Sequence, residues 1–553
     1  MVARIPYSDV AVAESYQNNN QSMRAVARDL NISRGAVKAA LERARRNLGI
    51  DIDKPISGGV VAPKPTRIMP LPKKGEVARY IITAAQNNTD CHVEFFENLV
   101  AYAEWVGAQV MVGSFSYNRA SYSQKATKRD LGPTEDDRKE DWYDPIFEPY
   151  WMDEAVELAP MLTWRGELNI QPTAKRPLSD LQTYGGRQST IFPHTKFAME
   201  SVAGTKADGA KLTYTTGTAT MMNYIKKKAG LQAEFHHSYG AVIVEVDHDG
   251  NWFVRQLNAD RDGTFYDIPD KGQVGAIKVA RGEVYADGED VEAVNWGDTH
   301  VRVIDQEQKE LAFGAGGILD SLRPKHQIHH DVLDFAVKQS HHDRHNPHAR
   351  ARKHAKGWTR IDEEVLEVKK FLDEVRRPWC TTIVVEANHD RHLDRWLAES
   401  DFRHDDSNAI FYLECELAFR KAIAEDPDRD WSHLHEALKR MGLPADDLFL
   451  GVDDGFILCA EDGSDGIECS LHGDIGPNGS RGSPLGLSKM GRRANSGHTH
   501  SACVIDGLYV AGTLAQLSQE WNRGPSSWSH SHIVTYPNGK RTIITCYNGK
   551  WRA

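Results

Sequence analysis

Cysteine is scarce in this chain. Seven occur in 553 residues, widely spaced, and no two form a CxxC pair. An odd, scattered set fits reduced thiols in a cytosol and excludes a disulfide scaffold. No run of 18 apolar residues exists, which excludes a membrane-spanning helix from the reading. The stretch from Met1 to Asp9 lacks the apolar core of a signal peptide, so a cytoplasmic protein is expected. Internal repeats and low-complexity tracts are also missing. Net positive charge is absent: 67 Lys+Arg against 78 Asp+Glu give −11. Net charge governs solubility, however, and local basic patches govern contact with polyanions. Charged residues at 26% and hydrophobic residues at 40% are near globular averages, which excludes global disorder and collagen-like chains. At roughly 100–200 residues per domain, about three or four domains are expected. What the chain has in quantity is histidine, 24 residues, most of them after residue 297. Histidine is the commonest metal ligand and a frequent acid–base group.

The N-terminal 50 residues carry eight Lys/Arg against four Asp/Glu, a basic module on an acidic chain. Ser22–Leu30 and the stretch from Asn31 to Arg45 read as helix, short turn and helix. Ala25, Val26, Leu30, Ile32, Val37 and Leu41 supply the packing, and Ser33 is a candidate N-cap. The block resembles the helix-turn-helix domains of DNA-binding proteins. The resemblance implies that Ser33, Arg34, Lys38, Arg43, Arg45 and Arg46 face phosphates or bases. The bland alternative is a basic hairpin used for assembly. Residues 51–76 read as an extended linker, with Pro55, Pro63, Pro65, Pro70 and Pro72 breaking any periodicity.

Residues 77–290 read as a middle α/β domain of unassigned role: a cap, an oligomer interface or a substrate selector. Tyr80–Gln86, His92–Val106 and Gln109–Phe115 form a strand–helix–strand unit with parallel strands. Lys211–Gly217, Gly240–Val246 and Trp252–Leu257 are β-type runs, and Asp249-Gly250 is a hairpin turn between the last two.

Beyond residue 291, five short segments end in groups that bind metals. They are Asp298-Thr-His300, Asp331-Val-Leu-Asp334, Asn388-His389-Asp390, His472-Gly-Asp474 and Gly497-His498-Thr-His500. Each follows an apolar run, as a site at the ends of strands requires. Any one alone is a weak signal. The ordered set over about 200 residues resembles the calcineurin-like metallophosphoesterases and covers residues 291–553. The resemblance implies a two-sheet αββα sandwich, so the fold class expected is multidomain α/β with a small all-α head. It also implies two divalent ions: Asp298, His300 and His500 for the first, Asp331 bridging, and Asn388, His472 and His498 for the second. His389 would be the catalytic histidine and Asp334 its orienting carboxylate. A mixed nitrogen and oxygen set favours manganese, with iron, zinc or magnesium as alternatives. The chain departs from the family pattern at His330 and Ala387, where glycine is usual, and at Asp474. His530 and His532 read as structural or substrate-facing, since the ligand set is already complete.

The stretch from His341 to Lys356 is an insert rich in His, Arg and Lys. Arg344, Arg350, Arg352 and Lys353 are candidate DNA contacts, because each such cation can displace a phosphate counterion. The expected function is a metal-dependent phosphodiesterase, a nuclease on double-stranded DNA. The alternative is a phosphatase or phosphodiesterase on a small molecule or phosphoprotein, with the head used for regulation. The combination of parts resembles the early nucleases with which tailed phages degrade host DNA. Nucleic acid and a second copy of the chain are the partners expected, and no membrane.

Overall fold

The computed structural model describes residues 12, 15–16, 23–48, 64–117, 142–338, 346–460, 465–519 and 522–553. Arg344, the side chains of Arg45 and Arg46, and linker residues 51–63 lie outside the described residues. The described part is α/β, with several sheets and many helices.

The head contains α1 (Met23–Asp29) and α2 (Arg34–Leu48). Val26, Val37, Ala40 and Leu41 are buried between them. Ser33 caps α2: its Oγ accepts the Ala36 N–H at 3.1 Å. Arg34 and Lys38 are exposed, and Lys38 stands 4.0 Å from Glu42. The head belongs to one compact unit. Thr66–Leu178 and Ser189–Ala553 form the other.

Within that second unit, β1 (Ala78–Gln86), α3 (Val93–Val106) and β2 (Ala108–Phe115) make the expected unit with β1 and β2 parallel. β3 (Gly240–Val246) and β4 (Trp252–Asn258) form the expected hairpin, and the four strands run in the order β4-β3-β1-β2.

A six-stranded sheet positions most of the candidate site. β5 (Ala293–Asn295), β6 (His326–His330), β7 (Thr381–Val385) and β8 (Leu448–Leu450) are mutually parallel. The chain next supplies β9 (Ile467–Glu468), β10 (Arg493–Ser496), β11 (Cys503–Ile505) and β12 (Leu508–Val510) to an eleven-stranded sheet. It then returns to the first sheet with the hairpin β13 (Ser531–Thr535) and β14 (Arg541–Thr545), turned at Asn538-Gly539 as the sequence predicts. Alternation along the strands decides which face each residue covers. Ile383 and Val385 pack with Ile467 and Cys469 of the other sheet, while Val384 faces the helices. α4 (Pro347–Ala355) precedes α5 (Ile361–Val375) and α6 (His392–Glu399), and the last two pack on the helical side. α5 buries Ile361, Val365, Val368, Phe371, Leu372 and Val375, a stripe of helical period, and places three acids in its first turn where the helix dipole favours them.

Two expected boundaries differ from the structure. The eleven-stranded sheet joins strands from both sides of residue 290: β11 pairs antiparallel with Met199–Val202, with Cys503 opposite Glu200. Residues 77–290 and 291–553 therefore share one compact unit. The physical reason is edge closure, since each half would otherwise leave a strand edge unpaired. The end of the expected linker is also structured, because Arg67 and Ile68 pair with Val156 and Glu157.

Candidate metal centre

Every expected ligand lies just past the C-terminal end of a strand: Asp298 and His300 after β5, Asp331 after β6, Asn388 after β7, His472 after β9, and His498 and His500 after β10. The chain must turn sharply there to aim side chains inward. His300, Asp331, His498 and His500 all adopt left-handed backbone, with φ of 45°, 47°, 73° and 56°. Such strain in non-glycine residues clusters at functional sites. Gly497 has a different reason to be glycine. A Cβ there would stand 2.1 Å from Asp298 Oδ1. Its absence lets the His498 N–H reach Asp298 Oδ2 at 2.8 Å.

The side chains converge in two groups that share Asp331. In the first, Asp298, His300, Asp331 and His500 offer donor atoms within 4.8 Å of one another, and all four are buried. His500 Nε2 is 3.0 Å from Asp298 Oδ2 and 3.1 Å from His300 Nε2. In the second, Asn388 Oδ1 is 3.0 Å from both His472 Nε2 and His498 Nδ1. His472 Nε2 also stands 3.2 Å from Asp331 Oδ2. Asp298 Oδ1, His472 Nδ1 and His500 Nδ1 are buried without a hydrogen-bond partner. Buried orphan donors and acceptors are costly. This donor set of two carboxylates, a carboxamide and four imidazoles suits a divalent cation.

The electrostatics fit the same reading. Burial would raise Asp331, but the imidazoles of His472 and His389 outweigh it and hold the carboxyl well below its usual range. Burial likewise opposes charge on His300 and His472. Asp334 and Asp331 overcome it at His300, and Asp331 and Asp298 at His472, raising each to about 9. His500 and His498 go the other way, lowered by burial first. Protons on His300 and His472 thus stand where cations would balance the carboxylates.

One part of the expected arrangement differs from the structure. The Asp334 carboxylate hydrogen-bonds a different histidine from the one expected: its Oδ1 is 2.8 Å from His300 Nδ1, and donor atoms of His300, Asp334 and His389 all lie within 4.8 Å of one another. His389 Nδ1 instead meets the Asp334 backbone carbonyl at 3.2 Å. The turn after Asp331 sends the Asp334 side chain back toward β5, leaving its main chain to face His389. A carboxylate behind an imidazole is the usual way to orient a metal-binding histidine. Asp474, where the chain departs from the family pattern, forms an ion pair with Arg391, which ties the loop after β9 to the loop after β7. Asp390, the last residue of the third motif, accepts the N–H groups of Leu333 at 2.9 Å and Ala387 at 3.0 Å, locking two ligand loops together. Sequence reading named Asp390 in the third motif without giving it a role and passed over Arg391, for which adjacency to Asn388-His389 was the available signal. His532 is structural, one of the two readings expected: its Nδ1 accepts the N–H of Gly297, beside Asp298, at 3.0 Å.

Beside this centre, α4 and α6 border a cavity of about 610 Å³. Arg350, Lys353, Arg395 and Trp358 line it, and so does His392, whose ring lies 5.1 Å from that of His389. Arg352 is exposed on α4 but is not part of that lining.

Protein A1 of Escherichia phage T5 is 36% identical to this chain over 486 residues, covering 86% of the chain and 83% of that protein. The chain belongs to the family of that protein. The relationship points to a phage origin. No family profile matches the chain, and no solved structure does either. Among the described residues, no helix is long and apolar enough to cross a membrane.

Proposed function

We propose that this family member is a two-metal-dependent phosphodiesterase of the calcineurin-like metallophosphoesterase type, acting as a DNA nuclease in the host cytoplasm. The observation that carries this reading is the convergence of two donor groups on one shared carboxylate, Asp331, at the strand ends of two facing sheets. Asp298, His300 and His500 would hold one ion, Asn388, His472 and His498 the other, with manganese favoured. When bound, such ions supply Lewis acidity to a phosphoryl group and lower the pKa of water.

The protein's own groups do the rest. The Asp334 carboxylate fixes His300, and Asp390 holds the loops after β6 and β7 in register. With Nδ1 spent on the Asp334 carbonyl, His389 keeps Nε2 to hold or give a proton at the leaving-group oxygen. Arg350, Lys353 and Arg395 line the cavity that His392 shares with the neighbourhood of His389, and although Glu399, Asp401 and Asp405 line it too, these cations suit a substrate with several phosphates. The exposed Arg34 and Lys38 on α2 give the head its own phosphate contacts.

The test is digestion of plasmid and linear DNA with Mn²⁺, with EDTA and Asp331→Asn as controls. Cleavage that needs metal and disappears in the variant supports the nuclease. Intact DNA together with hydrolysis of bis-p-nitrophenyl phosphate would shift the assignment to a small-molecule or phosphoprotein phosphoesterase.

A further inference from the structure

A second charged cavity lies away from the metal ligands. It measures about 810 Å³, within the ordinary range of small-molecule sites. Its walls come from distant segments: the end of helix Lys228–Phe235, the loop after β4, the segment before β10, and the turns of the β11–β12 and β13–β14 hairpins. Seven Lys and Arg side chains line it against two carboxylates.

Both carboxylates are already engaged. Glu234 pairs with Lys226 at 2.5 Å, and Asp506 pairs with Lys196. Among the described residues, Arg261, Lys489 and Arg493 have no carboxylate within ion-pair distance. Arg541 is buried without one as well. Its guanidinium donates to the carbonyls of Ala494 and Gly507, each at 2.7 Å, and lies 4.1 Å over the Tyr509 ring. Burial, together with the nearby Arg493, pushes Arg541 down to about 10 against the pull of Tyr509. Of these four, Arg541 is buried, Arg493 is half-buried, and Arg261 and Lys489 are exposed. A buried cation without counter-charge is costly, and further positive charge gathered around it favours an anion.

One wall is apolar. Phe235 is 84% exposed, Leu231 50% and Met222 39%. All three belong to the same lining as the cations. Inorganic phosphate would use the cations and leave that wall bare. A ligand with a ring at one end and phosphates at the other uses both, by stacking and by charge-assisted hydrogen bonds.

The geometry points to a binding site for a nucleoside phosphate, with its phosphates on Arg261, Lys489 and Arg493 and its base against Phe235. The metal centre stands apart from it. β10 begins at Arg493, whereas His498 and His500 follow its other end. At about 3.3 Å per residue, roughly 15 Å of chain separates Arg493 from the ligand turn.

The test is calorimetric titration of the intact chain in EDTA with ATP, dAMP and tripolyphosphate, and with a 20-nucleotide single strand. ATP should bind more tightly than tripolyphosphate. Lys489→Glu/Arg493→Glu should weaken ATP at least tenfold, and Arg261→Glu, from a different segment, should act in the same direction. Phe235→Ala should weaken ATP about fivefold and leave tripolyphosphate unchanged. Asp331→Asn should leave all these affinities intact. The proposal is overturned if neither ATP nor dAMP binds at millimolar concentration, or if the charge reversals change nothing. It is equally overturned if tripolyphosphate matches ATP, or if the single strand outcompetes both mononucleotides and is the one lost in the double variant.

Discussion

β10 is four residues long, and the groups at its two ends are electrostatic opposites. Past its C-terminal end, His498 and His500 join Asp298 and Asp331, buried carboxylates held ionised by imidazoles. At its N-terminal end, Arg493 joins Arg541 and Lys489, cations without carboxylates. One end gathers carboxylates balanced only by protonated imidazoles, a set suited to a cation, and the other gathers cations, a set suited to an anion. They also differ in construction. The ligand end is built from left-handed turns that aim side chains inward from successive strands. The cationic end is assembled from hairpin turns and a helix terminus that happen to meet.

The comparison can be broken at its strongest point by Asp331→Asn. That change removes the one group shared by both donor sets, and metal-dependent cleavage should fall by roughly 10²–10³-fold or more, on the scale of losing one preorganised charge-stabilising group. Turnover at the normal rate would reject the assignment. Asp334→Ala sharpens the picture. If its carboxylate serves His300, metal affinity should drop about 10–100-fold. His389→Ala should keep metal and lose rate. Metal content by mass spectrometry beside kcat separates the two, and equal metal loss in both would restore the expected Asp334–His389 pairing.

Proton occupancy gives a third test. His300 and His472 are raised to about 9 in the metal-free protein. A histidine raised in the folded state stabilises fully below its unfolded value of about 6.5 and loses that contribution as pH passes the folded value. The melting temperature of EDTA-treated protein should therefore decline from about pH 6.5 to 9. Metal replaces those protons, so saturating Mn²⁺ should flatten the decline. A pH-independent melt without metal would contradict the cluster's electrostatics.

The smallest effects belong to the head. Ser33→Ala should cost about 1 kcal/mol of helix stability through the lost cap, read from thermal melting of the intact chain. Arg34→Ala with Lys38→Ala should weaken DNA binding and reduce the slope of log affinity against log salt by about 2, one for each phosphate contact. An unchanged slope would return the head to the role of an assembly hairpin.

Much of the candidate metal centre was legible because its donor residues sit in short motifs, each beside the strand that carries it. Asp298 and His300 are two apart, and Asn388 and His389 are adjacent, so local geometry alone keeps them together. The hairpins at Asp249-Gly250 and Asn538-Gly539 were legible for the same reason, since a turn is a local matter. The partner of Asp334 was not. Three residues after Asp331 place it near the site, but whether its carboxylate meets His300 or His389 depends on the turn after β6. The pairing of Asp474 with Arg391, 83 residues apart, is set by two loops meeting in space.

By itself, then, the sequence determined the kinds of groups and their order along the chain: the donor motifs, the capped helices of the head, and the strand–helix–strand unit. These follow from covalent spacing and local backbone preference. The tertiary structure alone decided that strands on both sides of residue 290 share one sheet, which carboxylate serves which histidine, and that cations from distant turns line one cavity. Those are long-range contacts, chosen by closing sheet edges and burying faces, and no local pattern encodes them.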